Sequence, residues 1–104
     1  MNLAELQTRS ASSRELVLPL ADAETALQAM ELSGIVPLGW EGWLRYPDGR
    51  LGHSAKHQGT TGQSAPGPKT YSWLVATMRQ AQAEHAATPE ALGSTLLFCL
   101  TYKV

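Results

Sequence analysis

A strand–turn–strand pattern in the middle of the chain constrains the fold most strongly. From Val36 to Tyr46 apolar side chains recur at every second position except Gly42, and this spacing is the period of a β-strand. Pro47-Asp48-Gly49 then forms a turn, because proline presets φ and glycine accepts positive φ. Alternation resumes from Leu51 to His57. The pattern predicts a β-hairpin with Asp48-Gly49 as a two-residue loop, which places Leu51 and His53 on the core face.

Two glycines interrupt the first strand of this hairpin. Gly39 and Gly42 lie within the alternating stretch, and glycine inside a strand often marks a β-bulge. A bulge there would change which side of the sheet Trp40 and Trp43 occupy. We therefore expect an irregular strand pairing near these glycines.

The remaining elements follow from apolar spacing and capping residues. The final strand is apolar on both faces at its centre, which is typical of an interior strand. Asp22 is an N-cap candidate and Gly34 a C-cap candidate for the first long helix. The predicted elements are a possible short helix over Asn2 to Arg9, a strand over Glu15 to Leu20, helices over Ala23 to Gly34 and Lys69 to Ala87, and a strand over Ser94 to Val104.

The order of these elements indicates the fold class. The order β-α-β-β-α-β predicts an α+β fold of the ferredoxin-like kind, with an antiparallel sheet, two helices on one face and a possible extra N-terminal helix. A length of 104 residues suits a single domain over residues 1–104. The segment from Gln58 to Pro68, rich in glycine, threonine, serine and proline, is expected to be a long surface loop.

Composition excludes several classes of function. Eight basic and nine acidic residues give a formal net charge of −1, which lacks the basic surplus that nucleic-acid binding requires. No apolar run is as long as a membrane span. A single cysteine and the absence of a secretory signal pattern favour a reducing compartment, so we expect a cytoplasmic protein. The expected partners include neither nucleic acid nor membrane.

The residue types that carry out catalysis in other proteins do not form a recognisable site in this sequence. His53 and His57 lie four apart on a strand, too far apart to share one metal ion. Cys99 lies in the most apolar strand, which is typical of a small core residue rather than a nucleophile. Gly59-Thr60-Thr61-Gly62 lacks the Gly-Lys-Ser/Thr ending of a phosphate-binding loop. We therefore expect no catalytic residues, no cofactor and no metal.

Two tryptophans are the most informative candidates for a binding surface. Trp43 falls on the strand face opposite Trp40, between Glu41 and Arg45. Trp73 lies about 160° around its helix from the centre of the apolar stripe, beside Gln80 and Glu84. Tryptophan is a favoured interface anchor because it buries a large area at little entropic cost. The predicted partner-binding residues are Trp43, Trp73, Glu41, Arg45, Gln80 and Glu84, and the alternative is that other parts of the chain cover the two indoles.

The stretch from Gly39 to Gly49, continuing to Gly52-His53-Ser54, carries a resemblance to a known class of protein. It resembles a central signature of the small bacterial immunity proteins of polymorphic toxin systems. The resemblance covers about a third of the chain. It implies a non-enzymatic inhibitor that binds and blocks one toxin domain.

Two other hypotheses remain open from the sequence. The first is a small enzyme or ligand-binding domain, with a site between the hairpin and the Gln58–Pro68 loop near His53, Lys56 and His57. The second is a structural protein that self-associates through the sheet face without helices. The first predicts a pocket with a perturbed histidine, and the second predicts a dimer at micromolar concentration.

Overall fold

The computed structural model describes residues 2–60 and 68–103, and their side chains except at residues 59, 60 and 68–70. Within these ranges the order of elements is the predicted β-α-β-β-α-β, with a short helix in front. The helices are α1 (Leu3–Gln7), α2 (Leu20–Ser33) and α3 (Pro68–Ala87); the strands are β1 (Leu16–Leu18), β2 (Val36–Arg45), β3 (Leu51–Thr60) and β4 (Thr95–Lys103).

The four strands form one antiparallel sheet in the order β1-β4-β2-β3. The α+β class is confirmed, whereas the ferredoxin-like strand order is not. Helix α2 joins β1 to β2 across the intervening β4, and α3 joins β3 to β4 across β2. The interior position of β4 is as predicted, because its two apolar faces both need cover.

Buried side chains divide between the two faces of the sheet. On one face, residues from all three helices pack against Trp40, Leu44 and Phe98, with Phe98 fully buried. On the other face, Val17, Trp43, Leu97 and Cys99 form a second cluster, which we call the open-face cluster. The main core therefore lies between the sheet and the helices.

Helix α2 begins earlier than the sequence predicts. Pro19 is its N-cap residue, and Asp22 lies in the first turn instead of at the cap. The amide of Ala23 donates to the carbonyl of Pro19 at 2.9 Å, which closes the added turn. Asp22 is thereby free to approach Arg9, with 3.4 Å between the carboxylate and guanidinium. Gly34 ends the helix at φ 71° as predicted.

The hairpin turn differs from the prediction by one residue. The amide of Tyr46 donates to the carbonyl of Arg50 at 2.8 Å, so three residues, Pro47-Asp48-Gly49, form the loop. Gly49 takes φ 91°, the left-handed conformation that closes such a loop. Because a shift of one residue turns each side chain to the opposite face, the expected core positions of Leu51 and His53 are wrong. His53 lies opposite Trp43 instead.

The predicted bulge is present at Gly42. The pairing of β2 with β3 passes from Glu41–Gln58 to Trp43–His53, so that residues 54–57 of β3 lie opposite Gly42 alone. These four residues, here called the β3 bulge, fold over Gly42. A Cβ atom on Gly42 would lie 2.6 Å from the carbonyl oxygen of His57 and 3.0 Å from Cβ of Ser54. The glycine is required because it leaves room for the bulge.

Strand β3 and helix α3 extend into the stretch expected to be a loop. Strand β3 continues to Thr60, and α3 begins at Pro68. Residues 61–67, which contain most of the predicted Gln58–Pro68 loop and half of Gly59-Thr60-Thr61-Gly62, lie outside the described residues. In the described ranges, no helix has both the length and the apolar content needed to cross a membrane.

Candidate functional site

Trp73 is the most exposed aromatic side chain on the described part of helix α3. Its exposed fraction is 45%, whereas Trp40 and Trp43 are buried. The helix is held against the sheet by the buried side chains of Tyr71, Leu74 and Met78. The hydroxyl of Tyr71 also donates to the carbonyl of Ile35 at 2.9 Å. The indole is thus presented from a firmly packed 20-residue helix.

Polar residues continue the line of Trp73 along the same flank of α3. Gln80 and Glu84 are exposed, and the Gln80 amide donates to the Glu84 carboxylate at 3.2 Å. We call Trp73, Gln80 and Glu84 the Trp73 stripe. Thr77 lies between them and accepts a hydrogen bond of 2.9 Å from Nε1 of Trp40 in the core. That bond ties the middle of the stripe to the sheet.

Trp43, by contrast, is buried, and the expectation that its indole faces water is wrong. Its exposed fraction is 9%, and it packs with Val17, Leu97 and Cys99. The ring of His53 lies against it at 4.8 Å between centroids. The N-terminal segment also contributes, since Ala11 joins this cluster and its amide donates to Val17. Strand alternation placed Trp43 on the correct face but could not reveal these covering residues.

Glu41 and Arg45 flank Trp43 at the surface of the open face. Glu41 lies 3.6 Å from the His53 ring nitrogen, and Arg45 is exposed. These residues and the Trp73 stripe lie on different sides of the molecule, so the structure does not bring the six predicted residues together. The apolar centre of the open face is already buried in the single chain. This finding weakens the self-association hypothesis.

A polar cluster that the sequence patterns do not predict lies between the β3 bulge and α3. Ser54, His57 and His85 are all buried. The hydroxyl of Ser54 donates to Glu90 at 2.6 Å, and the amide of Ala55 donates to the other carboxylate oxygen at 2.9 Å. The amide of His57 donates to the Ser54 hydroxyl at 3.0 Å. The carboxylate of Glu90 therefore holds the bulge in place.

Only part of this cluster can be predicted from the sequence. His85 continues the spacing of the buried residues Leu74, Met78 and Ala81 on α3. Extending that apolar stripe by one turn therefore predicts that His85 is buried. Glu90 lies in the connection between α3 and β4 and meets Ser54 from 36 residues away in the chain. No local pattern predicts that contact.

Glu90 also makes stability depend on pH. The hydrogen bond from Ser54 lowers the pKa of Glu90 below its ordinary value, with the Ala55 amide and the positive charges of His57 and Lys56 acting in the same direction and burial opposing them. A lowered folded-state pKa stabilises the fold above the unfolded-state value, which is about 4.3, and that contribution is lost as the pH falls through the folded-state value.

We expect Glu90→Gln to lower the free energy of unfolding at pH 7 by about 1–2 kcal/mol. The loss should shrink as the pH falls below about 4. Urea denaturation between pH 2.5 and 7 measures both effects. Glu5→Gln, at an exposed position on α1, serves as the control. An equal loss at pH 7 and pH 2.5 would show that Glu90 does not act through its charge.

The two histidines of the ligand-site hypothesis occupy opposite sides of the sheet. His53 packs on Trp43 at the open face, whereas the His57 ring lies 6.3 Å from that of His85 on α3. A cleft of about 280 Å³ lies beside His57, lined by Lys56, His57, Glu84, Ala87 and Thr88. It is smaller than the sites that hold most small ligands. His53 and His57 therefore cannot act on one substrate.

Cys99 is a buried thiol in the open-face cluster. Burial and the neighbouring carboxylate of Glu15 raise its pKa to about 12. The thiol remains protonated at neutral pH and donates to Glu15 at 3.2 Å. A protonated, buried thiol is unsuited to nucleophilic attack.

A shallow groove of about 680 Å³ runs between α2 and α3. Its floor includes Leu27 and Val75, and its rim carries Glu24 and Arg79. These two are joined by a 2.6 Å hydrogen bond between guanidinium and carboxylate. The pair offsets these two charges, and Glu31 adds a further carboxylate to the lining.

Among the described residues, no three histidine, cysteine, aspartate or glutamate side chains are arranged to hold a metal ion. Comparisons with protein-family models, curated proteins and solved structures give no match to this chain.

Proposed function

We propose that this chain is a non-enzymatic protein-binding domain that engages its partner through the Trp73 stripe. The observation that carries the proposal is the 45% exposure of Trp73 beside the burial of Trp40 and Trp43. Tryptophan, tyrosine and arginine dominate the energetics of protein interfaces. An indole left in water on a rigid helix is a suitable anchor.

The surroundings of Trp73 support this role. The stripe is preorganised, because Gln80 and Glu84 are already hydrogen-bonded to one another and Thr77 is tied to Trp40. Preorganised side chains lose less entropy when a partner binds. Glu84, with 58% of its side chain exposed, adds a carboxylate that favours a cationic group on the partner.

The kind of partner we propose is a toxin domain, blocked by this chain as an immunity protein. The support is the resemblance of the stretch from Gly39 to Gly49 to that class, together with a surface whose anchor is aromatic. Gly42, within this stretch, shapes the β3 bulge that lies beside Glu84. The resembling segment thus supports one end of the Trp73 stripe.

Truncating the anchor tests the proposal. The immunity role predicts that a toxin domain is encoded beside the gene for this chain. That domain is the partner to use, with binding measured by calorimetry and inhibition by toxin activity. We expect Trp73→Ala to weaken binding by about 30-fold or more, which corresponds to about 2 kcal/mol. The free energy of unfolding of the Trp73→Ala variant should change by under about 1 kcal/mol, since the side chain is half-exposed.

Leu92→Ala provides a matched control, because Leu92 is a fully exposed apolar residue outside the stripe. It should bind like the unmodified chain. Equal affinity for Trp73→Ala and the unmodified chain would overturn the proposed surface. Failure of the unmodified chain to bind or inhibit would instead overturn the immunity role.

A further inference from the structure

Glu84 connects the Trp73 stripe to a buried histidine. One of its carboxylate oxygens accepts from Gln80 at 3.2 Å, and the other lies 3.9 Å from Nδ1 of His57. His57 is 7% exposed and belongs to the β3 bulge, while Glu84 lies on α3. The same carboxylate therefore faces both the binding surface and the bulge.

Charge on His57 would change this contact. At 3.9 Å a neutral imidazole and a carboxylate are beyond hydrogen-bond distance. A protonated Nδ1 is a donor, and a charge-assisted hydrogen bond to Glu84 would form when the contact shortens. Glu90, which holds the bulge through Ser54, adds a second negative charge nearby, whereas the charge of Lys56 opposes the added proton.

The second buried histidine, His85, has no acceptor for an added proton among the described residues. Nε2 of His85 lies 3.1 Å from the carbonyl oxygen of Ser94, which requires a proton on that nitrogen. Its Nδ1 is buried without a hydrogen-bond partner among the described residues. A proton added there would create a buried cation with no hydrogen-bond acceptor, which is unfavourable. His57, with the Glu84 carboxylate 3.9 Å from its Nδ1, is therefore the member of the pair that has an acceptor for an added proton.

We propose that His57 and Glu84 form a proton-operated latch, which closes in mildly acidic solution and joins the β3 bulge to α3. Closure turns the Glu84 carboxylate towards the cleft beside Lys56 and Thr88 and neutralises its charge on the Trp73 stripe. Histidine is the side chain whose ordinary range of titration covers pH 5 to 8. The effect on a bound partner rests on the proposed function, whereas the latch itself does not.

The experiment uses the free chain, so its outcome is independent of any partner. An NMR titration from pH 5 to 8 follows the His57 ring and the Glu84 carboxyl carbon. We expect both to change with one midpoint. Hydrogen exchange of the bulge amides, corrected for intrinsic rate and referred to Phe98 in β4, should slow about threefold between pH 7.5 and 5.5.

Two variants test whether the slowing of hydrogen exchange at the β3 bulge depends on Glu84. Glu84→Gln, a change at a largely exposed residue, should remove the slowing of exchange at the bulge. His53→Asn removes the exposed histidine that pairs with Glu41 on the other face and should leave the slowing unchanged. Equal exchange at the two pH values, or slowing that persists in Glu84→Gln, would overturn the latch.

Discussion

Gly42→Ala is expected to lower the free energy of unfolding by about 2–3 kcal/mol, the cost of overpacking a tight site. The added Cβ would lie 2.6 Å from the carbonyl oxygen of His57, which is backbone and cannot rotate away. The β3 bulge must then move off the sheet. Such movement strains its hydrogen bonds to Glu90.

Gly52→Ala is the matched control on the neighbouring strand. Its Cβ would meet the ring and the hydroxyl of Tyr46 at 3.0 Å, and that partly exposed side chain can turn aside. We expect a loss under about 1 kcal/mol for this variant. Urea denaturation followed by circular dichroism compares the two. Similar losses would contradict the close approach of the bulge to Gly42.

Phe98→Ala is expected to have the largest effect of any substitution considered, a loss of about 3–5 kcal/mol. Phe98 is fully buried on the helix face of β4, where its ring meets Trp40 edge-on at 5.2 Å. The truncation leaves a cavity between the sheet and the helices. A loss of this size is a large share of the stability of a small domain, which is about 5–15 kcal/mol.

Phe98→Leu keeps the prediction measurable if the alanine variant does not fold, with an expected loss near 1.5 kcal/mol. Cys99→Ala, one residue on and on the opposite face, should cost about 1 kcal/mol, because the open-face cluster is small. Thermal and urea unfolding provide the comparison. A greater loss for Cys99→Ala than for Phe98→Leu would show that the main core had been assigned to the wrong face.

Local physical chemistry was sufficient to predict the elements. Apolar periodicity found the strands and both long helices, Gly34 marked the end of α2, and Gly42 marked a bulge. Each of these signals lies within the element that it describes. The same reasoning placed β4 inside the sheet and Trp73 outside the core, since burial on each face follows from side-chain spacing.

Local patterns could not predict the strand register or the burial of a side chain by residues distant in the chain. The hairpin loop has three residues where the Asp-Gly pair suggested two, and this difference moved His53 from the core face to the open face. Trp43 is buried because His53 and the segment around Ala11 reach it from elsewhere in the chain. Both contacts join residues that are distant in the sequence, so no local pattern predicts them.

The amino-acid sequence by itself therefore determined which segments are strands and helices and, except in β3, which face of each is apolar. The tertiary structure decided which strands are neighbours, which indole stays in water, and that Glu90 and Glu84 meet the β3 bulge. The physical reason is distance along the chain: periodicity and caps act within a few residues, whereas Ser54 and Glu90 are 36 residues apart. Contacts of that kind form only when the whole chain packs.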